Sequence, residues 1–306
     1  MFVKTSNDGN KGLVHKLHLR NIIGGLVMAL TFSYMVYMLA QSWGQLTYYE
    51  WRIDYLQFAW SFICYSCSLT CAVTSWILIM KRLTKVIEVR KHIKYYIYTN
   101  VLRRLPVPLF YLFGRIYLYE QEGIVGSVMI IASLLELILI VMSGVIVCGL
   151  ILPFMPFSQA WHNLWFPVVV LVVGALLLHP RTIRAFIYLL GQRDLQLSLR
   201  YGDLLVWLII YSWVWVGGGL MLYTAINSLY SLPLTCLPAI IWAWIISGLV
   251  TTLFLLTSAG LGLKELTLSF LLSKVIPFPL AIAAALLIRV CLLLFEIVWG
   301  IFALKL

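Results

Sequence analysis

Runs of about twenty apolar residues constrain this chain more than any other feature, because a helix needs about 20 of them to cross the hydrocarbon of a bilayer. Five stretches qualify outright: Ile22–Trp43, Leu56–Met80, Ile124–Leu152, Asp203–Asn227 and Leu280–Gly300. Leu234–Leu256 follows Pro233 and is also long enough. Phe166–Leu178 is shorter and reaches spanning length only with Trp161–Trp165, whose aromatic rings suit the membrane interface. The pattern predicts about seven crossings. Composition agrees: 63% of the 306 residues are hydrophobic and 11% are charged, where soluble domains average roughly half and a quarter. A soluble enzyme, a disordered chain and a secreted disulfide scaffold are excluded. The expected fold class is an all-α integral membrane protein, a single polytopic domain over 1–306. Residues 1–21 form its basic N-terminus, 22–160 its first half and 161–306 its second.

Two apolar segments are too broken to span simply. Leu105–Tyr119 contains Pro106, Pro108, Gly114 and Arg115, and Thr257–Ile276 contains Gly260, Gly262, Lys264 and Glu265. Irregular backbone at membrane depth survives only where protein or a wet cavity covers it, so both read as re-entrant or interrupted helices. Each precedes a long hydrophobic helix that carries a buried acid, and each half also has a basic amphipathic stretch, 81–104 and 181–200. The correspondence suggests two inverted structural repeats with a binding site between the paired broken segments.

The formal charge of +11, from 22 Lys+Arg against 11 Asp+Glu, is mostly explained by orientation. Residues 1–20 hold four cations, 81–104 hold eight and 181–200 hold four, whereas 152–162 and 228–233 hold none. Cytoplasmic loops carry the Lys/Arg excess, which predicts a cytoplasmic N-terminus. The bias stays consistent along the chain only if both broken segments enter and leave on the same side. The stretch 81–104 would also attract anionic lipid at about 1 kcal/mol per cation near the surface. No signal peptide is evident, since Met1–Arg20 is polar and basic and the apolar run behind it exceeds a signal h-region.

Charges inside apolar segments cost about 2.5–3.5 kcal/mol each on insertion scales, so each needs a reason. Arg115, Glu120, Glu136, the pair Lys264–Glu265, Arg289 and Glu296 stand out. Arg289 and Glu296 share one helix face two turns apart, too far to pair directly, so each is expected to find its partner on another helix. The structural reading is that acids and bases neutralise one another and fix packing. The functional reading applies best to Arg115 and Lys264, which lie beside glycines in broken helices where a cation and exposed N–H groups together favour an anion. Cys64, Cys67 and Cys71 lie on an apolar helix without nearby His or acid and read as packing residues. The Gly217–Gly219 run reads as a site of close helix approach. No phosphate-binding loop, dinucleotide fingerprint, zinc helix or nucleophile elbow occurs, so no cofactor and no metal are expected.

The segment Asn100–Ile124, NVLRRLPVPLFYLFGRIYLYEQEGI, resembles the pattern R-x-L-P-G-x-x-W-x-x-x-G-R-x-x-L-x-x-x-x-G-I of the flippase-like transmembrane domain of lysylphosphatidylglycerol synthases and their stand-alone relatives. Ser258–Leu272, SAGLGLKELTLSFLL, resembles that family's P-G-G-x-G-x-x-E-x-x-x-x-x-L-L, and Arg289 follows where the family tends to carry an arginine. Positions that carry over are Arg104, Pro106, Gly114, Arg115, Gly123, Gly260, Gly262 and Glu265. Val107 replaces the first motif's glycine, and the second motif is reduced to Ser258-Ala-Gly-Leu-Gly262. The resemblance implies a stand-alone member without the soluble aminoacyl-transfer domain. It also implies movement of lipids between leaflets, with aminoacylated phospholipid, hopanoid or prenyl-phosphate-linked substrates.

Residues and resemblance together lead to the expectation of a lipid flippase or translocase-like transporter in a bacterial cytoplasmic (inner) membrane. Arg104, Arg115, Lys264 and Arg289 are expected to bind an anionic headgroup. Glu120, Glu136, Glu265 and Glu296 are expected to serve as buried acidic partners or proton carriers, and Pro106, Gly114, Gly260 and Gly262 to shape the broken helices. The alternatives are a membrane-embedded transferase acting on a lipid phosphate, with Glu120, Glu122 or Glu265 as acid or base, and an accessory subunit of a glycosyltransferase or lipid-modifying enzyme. Nucleic acid is not an expected partner, since basic runs beside a span are ordinary cytoplasmic flanks.

Overall fold

The computed structural model describes residues 33–38, 53–84, 88–103, 110–154, 200–253 and 260–306, with scattered positions between 40 and 44 and between 168 and 188. The five longest stretches hold eight α-helices and no strand. In chain order they are α1 (Tyr55–Leu83), α2 (Val89–Leu102), α3 (Phe110–Glu120), α4 (Gly126–Ile151), α5 (Tyr201–Asn227), α6 (Leu237–Leu253), α7 (Gly260–Leu272) and α8 (Phe278–Leu304). The segments α1, α4, α5, α6 and α8, the fourth and sixth counted with their adjoining short 3₁₀ turns, are long and apolar enough to cross a membrane. The larger part of each of the expected spans Ile22–Trp43 and Trp161–Leu178 lies outside the described residues.

Local chemistry sets several helix ends. The Asp54 carboxylate accepts from Leu56 N at 2.9 Å and Gln57 N at 3.1 Å, which caps α1, while Lys81 and Arg82 sit in its last turn where the helix dipole favours cations. Pro277 precedes α8 and Pro279 lies in its first turn, where a missing N–H costs no helical bond. The broken segments appear as short helices. At a rise of 1.5 Å per residue, the 11 residues of α3 and the 13 of α7 are each less than a bilayer core in length.

α1 and α5 form the most extensive helix pair, and α5 also packs on α4 and α6. The glycine run of α5 makes this closeness possible. A Cβ on Gly217 would lie 3.1 Å from Ser68 Cβ on α1, and one on Gly219 would lie 2.8 Å from the Cα of Ile241 on α6. The short helix α3 packs on α2 and α4, and α7 packs on α6 and α8. α2 also packs on α8, the last helix of the chain order. Outward faces are apolar, with Trp60, Ile209, Trp213, Val290, Leu294 and Ile297 all exposed. An aqueous protein would bury these side chains; a bilayer solvates them.

One consequence is testable by thermal unfolding in detergent. Gly219→Ala is expected to destabilise by about 1–3 kcal/mol through overpacking against backbone. Gly149→Ala, where an added Cβ meets nothing within 4 Å, is expected to be neutral or to stabilise by up to about 1 kcal/mol.

Candidate functional site

α2 supplies the centre of the polar interior, because Tyr96, Asn100 and Arg103 recur at i, i+4 and i+7 on one of its faces. Glu136 of α4 is 1% exposed and gathers three donors. Its Oε1 accepts from Tyr96 OH at 2.9 Å, and its Oε2 accepts from Arg103 Nη2 at 3.4 Å and from Arg115 Nη1. Arg115 of α3 is fully buried and also donates Nε–H to Thr99 Oγ1 at 3.1 Å. Its Nη2 has no hydrogen-bond partner among the described residues, and aromatic faces take that place. The guanidinium carbon lies 4.0 Å from the Trp76 ring centre and 4.7 Å from that of Tyr96.

A second polar group joins α7 to α8. Arg289 Nη1 donates to Glu265 Oε1 at 2.5 Å, and the other oxygen of Glu265 accepts from Gly262 N at 3.1 Å. Gly262 has φ +96°, a left-handed conformation that strains any residue with a Cβ, so α7 begins with a bend that Glu265 holds. Lys264 places its ammonium 3.8 Å from the ring centre of Trp244 on α6. On α8, Glu296 Oε1 accepts from Asn100 Nδ2 at 3.1 Å and from Tyr65 OH at 3.4 Å. Arg289 and Glu296 thus bind to different helices.

Two adjoining cavities lie among these groups. The larger, of about 270 Å³, is walled by α1, α2, α4, α5, α6, α7 and α8, and its polar lining includes Tyr65, Tyr96, Asn100, Arg103, Lys264 and Glu296. The smaller, of about 80 Å³, is lined by Arg103, Thr251, Lys264, Glu265 and Arg289 together with apolar side chains of α7 and α8. Arg103 and Lys264 face both.

The structure therefore sorts the expected site residues. Lys264, Glu265, Arg289 and Glu296 line the cavities. Arg115 and Glu136 line neither and form the buried pair beside them. Glu120, expected to be buried, is exposed at the end of α3, where the chain turns, and Tyr119 is the residue that points inward. The neighbouring acid Glu122 accepts from Lys91 Nζ at 2.6 Å and Tyr95 OH at 2.7 Å. Gly114 lets α3 approach Leu102, and Gly260 opens α7. Arg104 and Pro106 lie outside the described residues. Arg103, Asn100, Tyr96 and Trp244 were not singled out by sequence reading, although the i, i+4, i+7 spacing on α2 was there to be found. Cys64, Cys67 and Cys71 are free thiols, and no group of His, Cys, Asp and Glu among the described residues could hold a metal ion.

Beside this core, Tyr119 OH accepts from Trp76 Nε1 at 2.8 Å and lies 2.8 Å from His92 Nδ1, to which it donates when that nitrogen is unprotonated. α2 is not one of the spanning helices, and burial, with Lys81 adding to it, pushes the His92 imidazole down to about 4. No family model matches the chain, and no curated protein matches it.

Breaking a buried ion pair costs about 3–5 kcal/mol, whereas replacing both partners with apolar groups costs far less. Arg115→Met and Glu136→Leu are each expected to lose about that much stability, and the double variant is expected to recover most of it. Thermal unfolding of the four proteins in one detergent measures the coupling. For His92, the unfolded chain takes up its proton first as pH falls, near 6.5, while the folded chain resists until about 4. Stability should therefore decline across that window, and His92→Gln should flatten the decline.

Proposed function

We propose that this protein is a lipid translocase that receives an anionic or lipid-linked phosphate headgroup in the larger cavity. One observation carries the reading: a bundle with apolar outward faces holds a largely apolar, half-open chamber into which Arg103 and Lys264 face. Charged groups inside a membrane bundle mark substrate or ion pathways by default. The chamber's size favours the same reading. At about 270 Å³ it lies just below the roughly 300–1,000 Å³ of drug-sized ligand sites, enough for a headgroup while the tails stay in lipid.

In this scheme the two cations hold the phosphate. Asn100, Tyr65 and Tyr96 supply hydrogen bonds to the rest of the headgroup, and Glu296 limits how negative a headgroup the chamber accepts. The glycine bend of α7 would place Lys264, and the Arg115–Glu136 pair would place α2 and with it Arg103. The paired short and long helices, α3 with α4 and α7 with α8, support an arrangement of two inverted repeats with the chamber between them. A bacterial cytoplasmic membrane, with the N-terminus in the cytoplasm, fits the charge bias of the sequence. A glycosyltransferase or lipid-modifying enzyme would be a fitting partner on either side of such a step.

The test is reconstitution of the purified protein into vesicles and measurement of a labelled anionic phospholipid crossing the bilayer. Lys264→Ala is expected to slow transfer roughly tenfold or more, as follows from losing a charge-assisted contact of about 1.5–3 kcal/mol. Lys274→Ala removes the same charge at an exposed position and should leave the rate unchanged. Equal rates for wild type and Lys264→Ala would overturn the site assignment.

A further inference from the structure

Contacts between helices fix the direction in which each one runs. α1 and α5 are antiparallel and tied at both ends: Asp54 N donates to Ser228 O at 2.8 Å at one face, and Arg82 meets Asp203 at 2.7 Å at the other. The second is the basic face, where α1 ends with Lys81 and Arg82 and α2 begins with Arg90 and Lys91. α2 and α3 leave that face and return to it as an antiparallel ladder, with Lys91 on Glu122, His92 beside Tyr119 and Thr99 on Arg115. α8 is parallel to α1, because Phe295 packs on Phe62 and Trp299 bonds Ser66, one turn further along each helix. It is antiparallel to α2, because Asn100 meets Glu296 whereas Arg103 shares the smaller cavity with Arg289 and Leu292. α8 therefore starts at the face opposite the basic one and ends on the basic face, with Lys305 as its cap.

We infer that α6 and α7 form a re-entrant hairpin entering from the face opposite that of α2 and α3, so that the chamber has one hairpin as its wall toward each face. α6 starts at the opposite face, since it follows the end of α5 and lies antiparallel to it. Ile241 lies against Gly219 of α5, and Gly248 lies against Trp215, one turn nearer the basic face. α7 ends at the opposite face, since only residues 273–277 separate it from the start of α8. With 13 residues, α7 rises about 20 Å, short of the roughly 30 Å of hydrocarbon, so its other end, with Lys264, lies inside. Ion pairs repeat the same plan. The returning arm of each hairpin joins the long helix after it, Arg115 to Glu136 and Glu265 to Arg289, with the signs exchanged. The chamber lies between the hairpins, with Asn100 and Arg103 on one wall and Thr252 and Lys264 on the other. Movement of one hairpin at a time exposes such a chamber to the two faces in turn.

The full chain carries its own probes, because Lys81, Lys274 and Lys305 are exposed. A sulfonated amine-reactive ester that cannot cross membranes is applied to cells expressing the protein, intact or permeabilised, and modified lysines are mapped by peptide mass spectrometry. Lys81 and Lys305 are expected on one face and Lys274 on the other. Lys274 on the face of Lys81, as it would be if α6 crossed the membrane, overturns the inference, and so does Lys305 on the face of Lys274. A protease-cleavable tag after Leu306 checks α8 separately. It is expected to be cut from the face of Lys81, and cutting from the face of Lys274 overturns the assigned direction. For the opening to both faces the probe is Thr252→Cys, on the chamber wall of α6. An impermeant methanethiosulfonate added to either side of sealed membranes is expected to modify this cysteine from both, and modification from one side only, or from neither, overturns the two-sided opening. If that variant does not fold, the lysine pattern in the wild-type chain decides alone. That pattern reads helix direction whether or not the chamber carries lipid, so its failure is distinct from a failure of lipid transfer.

Discussion

The pairing of Arg115 with Glu136 is the interaction on which the rest of the interior depends. Neither side chain reaches solvent, so each charge depends on compensation from inside the protein, which Glu136 alone supplies to Arg115 among the described residues. Losing one partner costs about 3–5 kcal/mol, a large fraction of the roughly 5–15 kcal/mol that stabilises a typical fold. The pair joins α3 to α4, and through Tyr96, Thr99 and Arg103 it also fixes α2. α2 is short and carries Asn100 toward Glu296 of α8. A single carboxylate thus positions one wall of the chamber.

The remaining charges divide by how fully they are compensated. Glu136 has more cationic donors than it needs, whereas Arg289 and Glu265 match one to one. Lys264 rests on the face of Trp244, which stabilises an ammonium without cancelling its charge. The outcome is a set of buried ionic groups inside an apolar shell, held at close quarters by the glycines of α5.

Much of this was legible in the sequence. Apolar run length identified the five long apolar helices α1, α4, α5, α6 and α8, proline and glycine marked the two segments that form the short helices α3 and α7, and the cost of membrane charge selected Arg115, Glu136, Lys264, Glu265, Arg289 and Glu296. What the sequence could not supply was pairing, because ion pairs here join residues 21 and 24 positions apart on different helices. It therefore treated Arg115 and Lys264 alike, although one is enclosed by aromatic rings and the other lines a cavity. Glu120 was misread because an acid near the end of a short helix can point either way, and only the turn after α3 decides. Arg103 was hidden by its company: within a run of cytoplasmic cations, a residue facing inward has the same identity as its neighbours. Its spacing from Tyr96 and Asn100 was the sole trace.

The central claim is that a lipid headgroup enters the chamber between α2, α6 and α7. Photocrosslinking in vesicles, with a phospholipid carrying a diazirine on its headgroup, examines this directly when adducts are mapped by peptide mass spectrometry. Adducts on Tyr96, Asn100 and Trp244, suppressed by excess unlabelled anionic lipid, are the result that the chamber requires. Adducts confined to outward-facing residues such as Ile209, Trp213 and Ile297 would contradict it.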